Sequence, residues 1–112
     1  MPQSRDPHSL LPLTPALFHV LVALADGETH GYAIMKEVER LTDGAVRLST
    51  GTLYGIIKRL LAEGLIREAR PGGDARRRRY ALTRFGTDVA RAEARRLEQT
   101  LTLARRKALF RT

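Results

Sequence analysis

Residues 49–61 read STGTLYGIIKRLL, and this stretch decides the fold because it predicts a helix with two unlike sides. At about 100° per residue, one side is aliphatic and carries Leu53, Ile56, Ile57, Leu60 and Leu61. The opposite side is small, hydroxyl-bearing or cationic and carries Gly51, Thr52, Gly55, Lys58, Arg59 and Ala62. A helix with so little bulk on its outer side can approach a polyanion closely, and a major groove is wide enough to admit it. This side therefore favours DNA binding.

The charge balance points to the same class of partner. The chain of 112 residues has 20 Lys and Arg against 12 Asp and Glu, which gives a net charge of +8 and a pI near 11.0. Nucleic acid is the commonest partner of so basic a chain, and an anionic membrane surface is the second candidate. There is no cysteine, no apolar run that approaches a spanning helix and no secretory leader pattern. We therefore expect a cytoplasmic protein, associated with the bacterial nucleoid when it is bound to DNA.

Patterns on either side of this stretch predict two further helices. Residues 1–13 are proline-rich and polar, and we expect a disordered N-terminal arm there. Thr14 and Pro15 are typical of a helix start, and Asp26-Gly27 ends that first helix. The second helix runs from about residue 30 or 31 to residue 41, with an apolar side made of Tyr32, Ile34, Met35, Val38 and Leu41. Ser49, or with less support Thr50, caps the third helix, which ends at Gly64.

The hydrophobic period changes after the third helix. Residues 65–70 and 76–83 alternate as strands do, and the turn residues PGGDA at 71–75 lie between them. Thr83 then caps a long helix from about residue 84 to residue 109. The predicted fold is mainly α with a small β-hairpin: a winged helix-turn-helix domain over residues 14–83 and a C-terminal dimerisation helix over residues 84–112. In such folds the third helix enters the major groove and the hairpin lies over the backbone or minor groove.

Four successive motifs resemble those of PadR-type transcriptional regulators. They read HGY at 30–32, STGTLY at 49–54, RLLAEGLI at 59–66 and RYALTRFG at 79–86. The resemblance covers about residues 13–89 and implies a bacterial transcription factor, usually a repressor, that dimerises through its C-terminal helix. The short C-terminal part is similar to the small branch of the family, in which one long helix makes the dimer.

The sequence departs from that family pattern at two points. Gly55 stands where these proteins often have proline, and glycine there costs the helix up to about 1 kcal/mol relative to alanine. The chain has no Trp, so the paired-tryptophan drug pocket of some small members cannot be carried over.

The candidate DNA contacts lie on three elements. They are Lys36, Ser49, Thr50, Thr52, Tyr54, Lys58, Arg59, Arg70, Arg76, Arg77 and Arg78. Capping alone explains Ser49 as well as DNA contact does, and packing explains Tyr54 as well as a phosphate bond does. The arginine run at 76–79 could be a solvated surface, but its place beside a Gly-Gly turn favours phosphate contact for its alternate members.

The last helix carries a stripe of small and aliphatic residues. The predicted dimerisation residues are Val89, Leu97, Leu101, Ala104 and Ala108, with Phe110 as a further contact. So long a helix cannot bury this stripe against so small a domain, and a second copy would cover it. Glu93 interrupts the stripe, which favours crossed or antiparallel packing over a parallel coiled coil. A solvated helix in a monomer is the alternative.

No residue pattern predicts catalysis, a metal site or a cofactor. His8, His19 and His30 lie apart, and no carboxylate falls at ligand spacing with any two of them. The partners expected are double-stranded DNA, a second copy of the chain and a small-molecule effector that the sequence does not identify. The function expected is a homodimeric repressor on a pseudo-palindromic operator, released by the effector. The alternatives are an RNA-binding or ribosome-associated basic module, a protein-interaction adaptor and a membrane-surface protein.

Overall fold

The computed structural model describes residues 5–69 and 77–110. Its elements, in chain order, are α1 (Pro15–Ala23), β1 (Thr29–His30), α2 (Gly31–Leu41), α3 (Thr50–Ala62), β2 (Ile66–Glu68), β3 (Arg79–Leu82) and α4 (Arg84–Arg106). A short 3-10 turn, Pro7–Leu10, precedes α1. The fold is mainly helical with a small antiparallel sheet, and the predicted fold class is confirmed.

Hydroxyl caps fix where three of the helices begin. Thr14, Ser49 and Thr83 have extended backbones, and each side-chain oxygen accepts the backbone N–H three residues later, at 2.9–3.2 Å. Such a bond satisfies one of the N–H groups that the first turn of a helix leaves without a partner. The predicted starts of α1, α3 and α4 are confirmed. His30 precedes α2 without a side-chain capping bond.

The sheet has three strands in the described residues, where the sequence predicts two. The strand order is β1-β3-β2, with β3 antiparallel to both neighbours. Thr29 of β1 pairs with Tyr80, and Ile66 of β2 pairs with Leu82. The strand β1 escapes prediction because two residues are too few to show an alternating pattern. The predicted turn at residues 71–75 lies outside the described residues.

The core lies between α1, α2, α3, the sheet and the first half of α4. Its buried members are Leu17, Val20, Leu21, Ala23, Leu24, Ile34, Val38, Leu53, Ile57, Leu60, Leu65, Ile66, Tyr80 and Val89. The predicted apolar side of α2 is wrong at both ends, because Tyr32 is 63% exposed and Leu41 is 44% exposed. The helix buries its side chains at its centre, through Ile34 and Val38.

Residues 5–13 are ordered against the domain, so the predicted disordered arm is wrong for this range. Asp6 caps the 3-10 turn by accepting the N–H of His8 at 2.9 Å, which lowers the pKa of the Asp6 carboxyl. The physical reason for the order is apolar: Leu10, Leu11 and Leu13 pack on the core cluster. Residues 1–4 lie outside the described range.

The helix α4 starts on a close backbone contact. A Cβ on Gly86 would overlap the carbonyl oxygen of Leu65, and Thr83 donates both its N–H to Leu65 and its hydroxyl to the Gly64 carbonyl. Only a glycine lets the first turn of α4 come this near to the segment that follows α3. The helix ends at Arg106, three residues before the predicted end at Leu109.

Candidate nucleic-acid interface

The outer side of α3 is open, as its pattern predicts. Leu53, Ile57 and Leu60 are at most 2% exposed and face the core. The residues of the opposite side are all exposed: Gly51, Thr52, Gly55, Lys58, Arg59 and Ala62. We call this set the open face of α3. It has no acidic residue, and only Arg59, at its edge, lies beside the N-terminal residues Leu10 and Leu13.

The two glycines of the open face have no packing role within the described chain. A Cβ built on Gly51 or Gly55 would have no neighbouring heavy atom within 4 Å. Neither residue has a positive φ, so alanine would fit both backbones. A glycine inside a helix costs about 1 kcal/mol relative to alanine. This cost applies to Gly55, since Gly51 lies in the first turn of α3. Both glycines leave the surface of the helix without a side chain.

Hydroxyl groups surround the N-terminus of α3. Ser49 accepts the Thr52 N–H at 3.1 Å and donates its own proton to the Thr52 hydroxyl oxygen at 2.9 Å. Of the two interpretations of Ser49, capping and DNA contact, capping is therefore observed. The Thr52 hydroxyl still has its proton to donate. Thr50 is also exposed, and an N-terminus bearing such groups suits an oxygen anion.

Tyr54 lies at the junction of α2 and α3. The residue is 40% exposed, and its hydroxyl oxygen is 2.6 Å from the place where a Cβ on Gly31 would stand. Alanine at Gly31, the glycine of the HGY motif, would therefore force the Tyr54 side chain to move. Part of Tyr54 is packed and part is accessible, so packing and phosphate contact are compatible. Nearby, burial raises the pKa of the Tyr80 phenol, with a smaller effect from Tyr54.

The cations of α3 differ from those beside the sheet. Among the described residues, Lys58 and Arg59 have no salt-bridge partner. Arg78 lies 3.8 Å from Glu68, and Arg79 lies 3.5 Å from Glu28. Such exposed pairs contribute about 1 kcal/mol or less, so a phosphate can replace the carboxylate at little cost.

The wing arginines are described only in part. Arg77 and Arg78 are exposed and come directly before β3, while the Tyr80 side of that strand faces the core. Arg70 and Arg76 lie outside the described residues, and their predicted contacts stay predictions.

Lys36 has an aromatic neighbour that the sequence reasoning missed. Its ammonium nitrogen lies 5.5 Å from the centroid of the Tyr32 ring, and both side chains are exposed. The apolar pattern places Tyr32 on the inner side of α2, which is wrong. The available signal was the spacing, since residues four apart on a helix share a face and Lys36 had to be outside. The pair adds a phenol and a cation to the surface of α2.

The second half of α4 exposes aliphatic side chains. Leu97 and Leu101 are each 40% exposed and Leu103 is 59% exposed. The exposed surface of these turns also carries Glu98, Gln99, Thr102, Arg105 and Arg106. After the helix, Leu109 and Phe110 are 72% and 63% exposed. We call Leu97, Leu101 and Ala104 the α4 stripe.

Two of the predicted dimerisation residues do not belong to that surface. Val89 is 0% exposed because it is part of the core of its own chain, so its side chain is already covered. Ala108 lies beyond the end of α4 with a φ of +59°, so it does not continue the helical stripe. Leu97, Leu101 and Ala104 lie on α4 as predicted, and their role in a dimer stays a prediction.

Glu93 interrupts the stripe for a reason inside the chain. The residue is 1% exposed; its carboxylate accepts the backbone N–H of Leu13 at 2.9 Å and two bonds from the guanidinium of Arg96. The bond from Arg96 is the main cause that lowers the pKa of Glu93, and burial opposes it.

Metal-binding and membrane-spanning features are absent from the described residues. Residues 5–69 and 77–110 contain no group of three or more His, Cys, Asp and Glu side chains placed to hold a metal ion. No helix in these ranges is both long enough and apolar enough to cross a bilayer. His8, His19 and His30 lie on three different elements.

Comparison with known proteins agrees with the geometry. The family model described as "Transcriptional regulator PadR-like family" matches residues 20–92. A transcriptional regulator of Mycobacterium tuberculosis is 37% identical over 82 residues, which cover 72% of this chain and 74% of that protein. An uncharacterized 37.1 kDa protein from a Streptomyces fradiae transposon is 43% identical over 75 residues, which cover 67% of this chain. This chain spans only 21% of the length of that relative.

Solved structures share the fold. A transcriptional regulator from Clostridium thermocellum has a TM-score of 0.69 at 27% identity, covering 80% of this chain and 86% of that one. Bordetella bronchiseptica BpsR, whose DNA binding is regulated by 6-hydroxynicotinic acid, has a TM-score of 0.65 at 27% identity, covering 80% and 63%. Bacillus subtilis PadR in complex with operator DNA has a TM-score of 0.60 at 24% identity, covering 72% and 47%, and shows likeness of fold alone.

Proposed function

We propose, because this chain belongs to the PadR-like family of transcriptional regulators, that it is a homodimeric repressor which binds a pseudo-palindromic operator in double-stranded DNA. The observation that carries the proposal is the open face of α3. Two glycines without packing partners and two cations without described salt bridges are what close approach to a phosphate-lined groove needs. In this account α3 enters the major groove.

The contacts divide by chemistry. Lys58 and the Thr52 hydroxyl, with the backbone at Gly51 and Gly55, are the groups proposed to reach base edges, where donors and acceptors distinguish sequences. The remaining candidates on α3 and α2 are proposed to contact phosphates: Ser49, Thr50, Tyr54, Arg59 and Lys36. Such contacts position the protein and carry no sequence information directly.

The wing supplies a second group of phosphate contacts in this proposal. Arg77 and Arg78 are exposed beside β3, and Arg70 and Arg76 remain in the proposed set on the basis of sequence. Arg78 is only loosely paired with Glu68, so its guanidinium can leave that carboxylate and bind a phosphate instead.

Dimerisation is proposed to occur through the α4 stripe. Helices of this length with a half-exposed leucine stripe are stabilised by packing on another helix. A two-fold dimer would place the two copies of α3 in successive major grooves, about 34 Å apart.

A small-molecule effector is proposed as the signal that releases the DNA. The support is the regulation of Bordetella bronchiseptica BpsR by 6-hydroxynicotinic acid. The chemistry of an effector for this chain is not specified by its residues. The proposed place of action is the cytoplasm, on the nucleoid.

Selection of duplexes from a random pool, followed by footprinting, tests the proposal. We expect one enriched motif with two-fold symmetry and half-sites one helical turn apart. Lys58→Ala should then change the preference among single-base variants of that motif, whereas the matched control Arg91→Ala on the exposed side of α4 should leave it unchanged. No enriched motif, or equal competition by structured RNA, would contradict the proposal and favour a basic RNA-binding module.

A further inference from the structure

We propose that residues 5–13 form a strap which sets the orientation of α3 relative to α4. The positioning residues are Arg5, in the strap, and Glu93, on α4. The inference rests on the proposed function, because it assumes that α3 binds DNA and that α4 makes the dimer. It adds a structural constraint on the distance between the two DNA-binding helices of the dimer.

The first contact joins the strap to the end of α3. Arg5 donates one bond to the backbone carbonyl of Glu63 and another to its carboxylate at 2.9 Å. Glu63 is the C-cap of α3, where backbone carbonyls lack helical partners and a cation is favoured. The same guanidinium lies 4.7 Å from the ring centroid of Phe85 in the first turn of α4. One side chain thus connects the end of α3 to the start of α4.

The second contact is apolar. Leu10 and Leu13 of the strap pack against the core cluster that includes Leu60 in the last turn of α3. They line a small pocket together with Arg59 and Leu60. Any tilt of α3 at this end would have to displace the strap.

The third contact joins the strap to the middle of α4. The Glu93 carboxylate is 1% exposed and accepts the Leu13 N–H at 2.9 Å. Arg96 holds the carboxylate in place through bonds from Nε and Nη2. A buried carboxylate is costly unless it is paired and hydrogen-bonded, and core burial needs only an aliphatic residue at this position. The bonds from the strap and from Arg96 are interactions that an aliphatic residue could not accept, and only the first joins α4 to another segment.

These contacts affect the distance between the two α3 helices of the proposed dimer, which must match the spacing of the operator half-sites. In the proposed dimer, α4 carries the stripe that pairs and α3 carries the open face. The angle between α3 and α4 therefore determines the separation of the two open faces, and half-sites are read at about 34 Å. The strap constrains that angle from outside the core, at both α3 and α4.

The test uses the full chain and the duplex selected with it. Variants Arg5→Ala and Glu93→Ala are compared with Arg91→Ala on α4 and Asp26→Ala after α1, which remove the same charges from exposed positions. Binding is measured to the selected duplex and to duplexes whose half-site spacing is one base pair shorter or longer, at a temperature where circular dichroism shows every variant folded. The salt dependence of binding is measured alongside.

We expect Glu93→Ala to lose about tenfold in affinity for the selected spacing, and Arg5→Ala to lose less because its pair with Glu63 is exposed. Both should lose the preference over the altered spacings and keep the salt slope because the phosphate contacts remain. If Glu93→Ala does not fold, Arg5→Ala and Glu93→Gln decide the matter by the same measurements. A lower melting temperature with unchanged affinity and spacing preference would overturn the inference and leave the strap a purely structural role. Failure of the parent chain to bind any duplex would overturn the proposed function first, and the inference with it.

Discussion

At the scale of single residues, the binding role proposed for the open face of α3 and the stability of the helix make opposite demands at Gly55. A Cβ there meets nothing within 4 Å, so alanine would fit the folded chain. We predict that Gly55→Ala stabilises the protein by up to about 1 kcal/mol in urea unfolding and weakens binding to the selected duplex. The control Thr102→Ala, on an exposed turn of α4, should leave DNA affinity unchanged. Affinity equal to that of the parent would show that the methyl group meets no DNA.

Gly31 faces the opposite constraint, because its neighbour leaves no room. We predict that Gly31→Ala destabilises the protein by about 1–3 kcal/mol, since the new Cβ would stand 2.6 Å from the Tyr54 hydroxyl oxygen. Tyr54→Phe removes that oxygen, so Gly31→Ala should cost less when it is combined with Tyr54→Phe. A double-mutant cycle in chemical unfolding measures the coupling. Additive effects would mean that the two side chains do not compete for this space.

Glu93 gives the fold an acid-sensitive contact. Its bond from Arg96 holds the pKa of the folded carboxyl below its ordinary value of 4.5. The stabilisation is therefore fully present above pH 4.5, where the unfolded carboxylate is also ionised, and is lost as the pH falls through the lower folded pKa. We predict that Glu93→Gln flattens the fall in unfolding free energy below about pH 4.5, measured by urea titration. Parallel curves for the parent and the variant would contradict the assignment.

At the scale of elements, the helices were largely predictable and the short or edge features were not. Hydroxyl caps and the 3.6-residue period located α1, α3 and α4, because these signals are local. The two residues of β1 form a strand only because β3 lies beside them, which no local pattern encodes. The prolines before α1 predict disorder there, yet three leucines of this segment pack against the core. Tertiary contacts decided each of these cases.

The candidate site followed the same division. The open face of α3 could be predicted because it is the complement of an aliphatic stripe on one helix. Two contacts join segments that are distant in the sequence: Tyr54 against Gly31, and the bond of Glu93 to Leu13. The exposed pair of Tyr32 and Lys36 contradicts the apolar pattern of α2. The sequence therefore predicts where the candidate surface lies, but not the contacts that hold its side chains and helices in place.

The wing is the element to which the proposal assigns an electrostatic role. We predict that replacing Arg77 and Arg78 together with alanine weakens binding to all duplexes and lowers the slope of log affinity against log salt by about 1–2, at roughly 0.9 per phosphate lost. Fluorescence anisotropy over a salt titration measures this slope. Replacing Arg105 and Arg106, which are exposed at the far end of α4, serves as the charge-matched control. Equal slopes for the wing variant and the parent would remove these two arginines from the interface.

At the scale of the whole molecule, the proposed dimer depends on the α4 stripe. Leu97 and Leu101 are each 40% exposed in the single chain, so charge there should not disturb its core. We predict that the double variant Leu97→Glu, Leu101→Glu is folded but monomeric in sedimentation velocity, and that it binds the two-fold operator much more weakly than the parent. Introducing Glu at Arg91 and Arg95, on exposed positions of the same helix, is the control. A double variant that stays dimeric would place the contact elsewhere.

The central claim is that the open face of α3 lies in the groove of DNA, and a tethered cleavage reagent tests it most directly. The chain has no cysteine, so Ala62→Cys at the exposed end of α3 gives a single attachment point for an iron chelate. We predict cleavage within both half-sites of the selected duplex, in two clusters about one helical turn apart, and none within them from the same reagent at Arg105→Cys on α4. Cleavage of the half-sites from α4 but not from α3 would contradict the account.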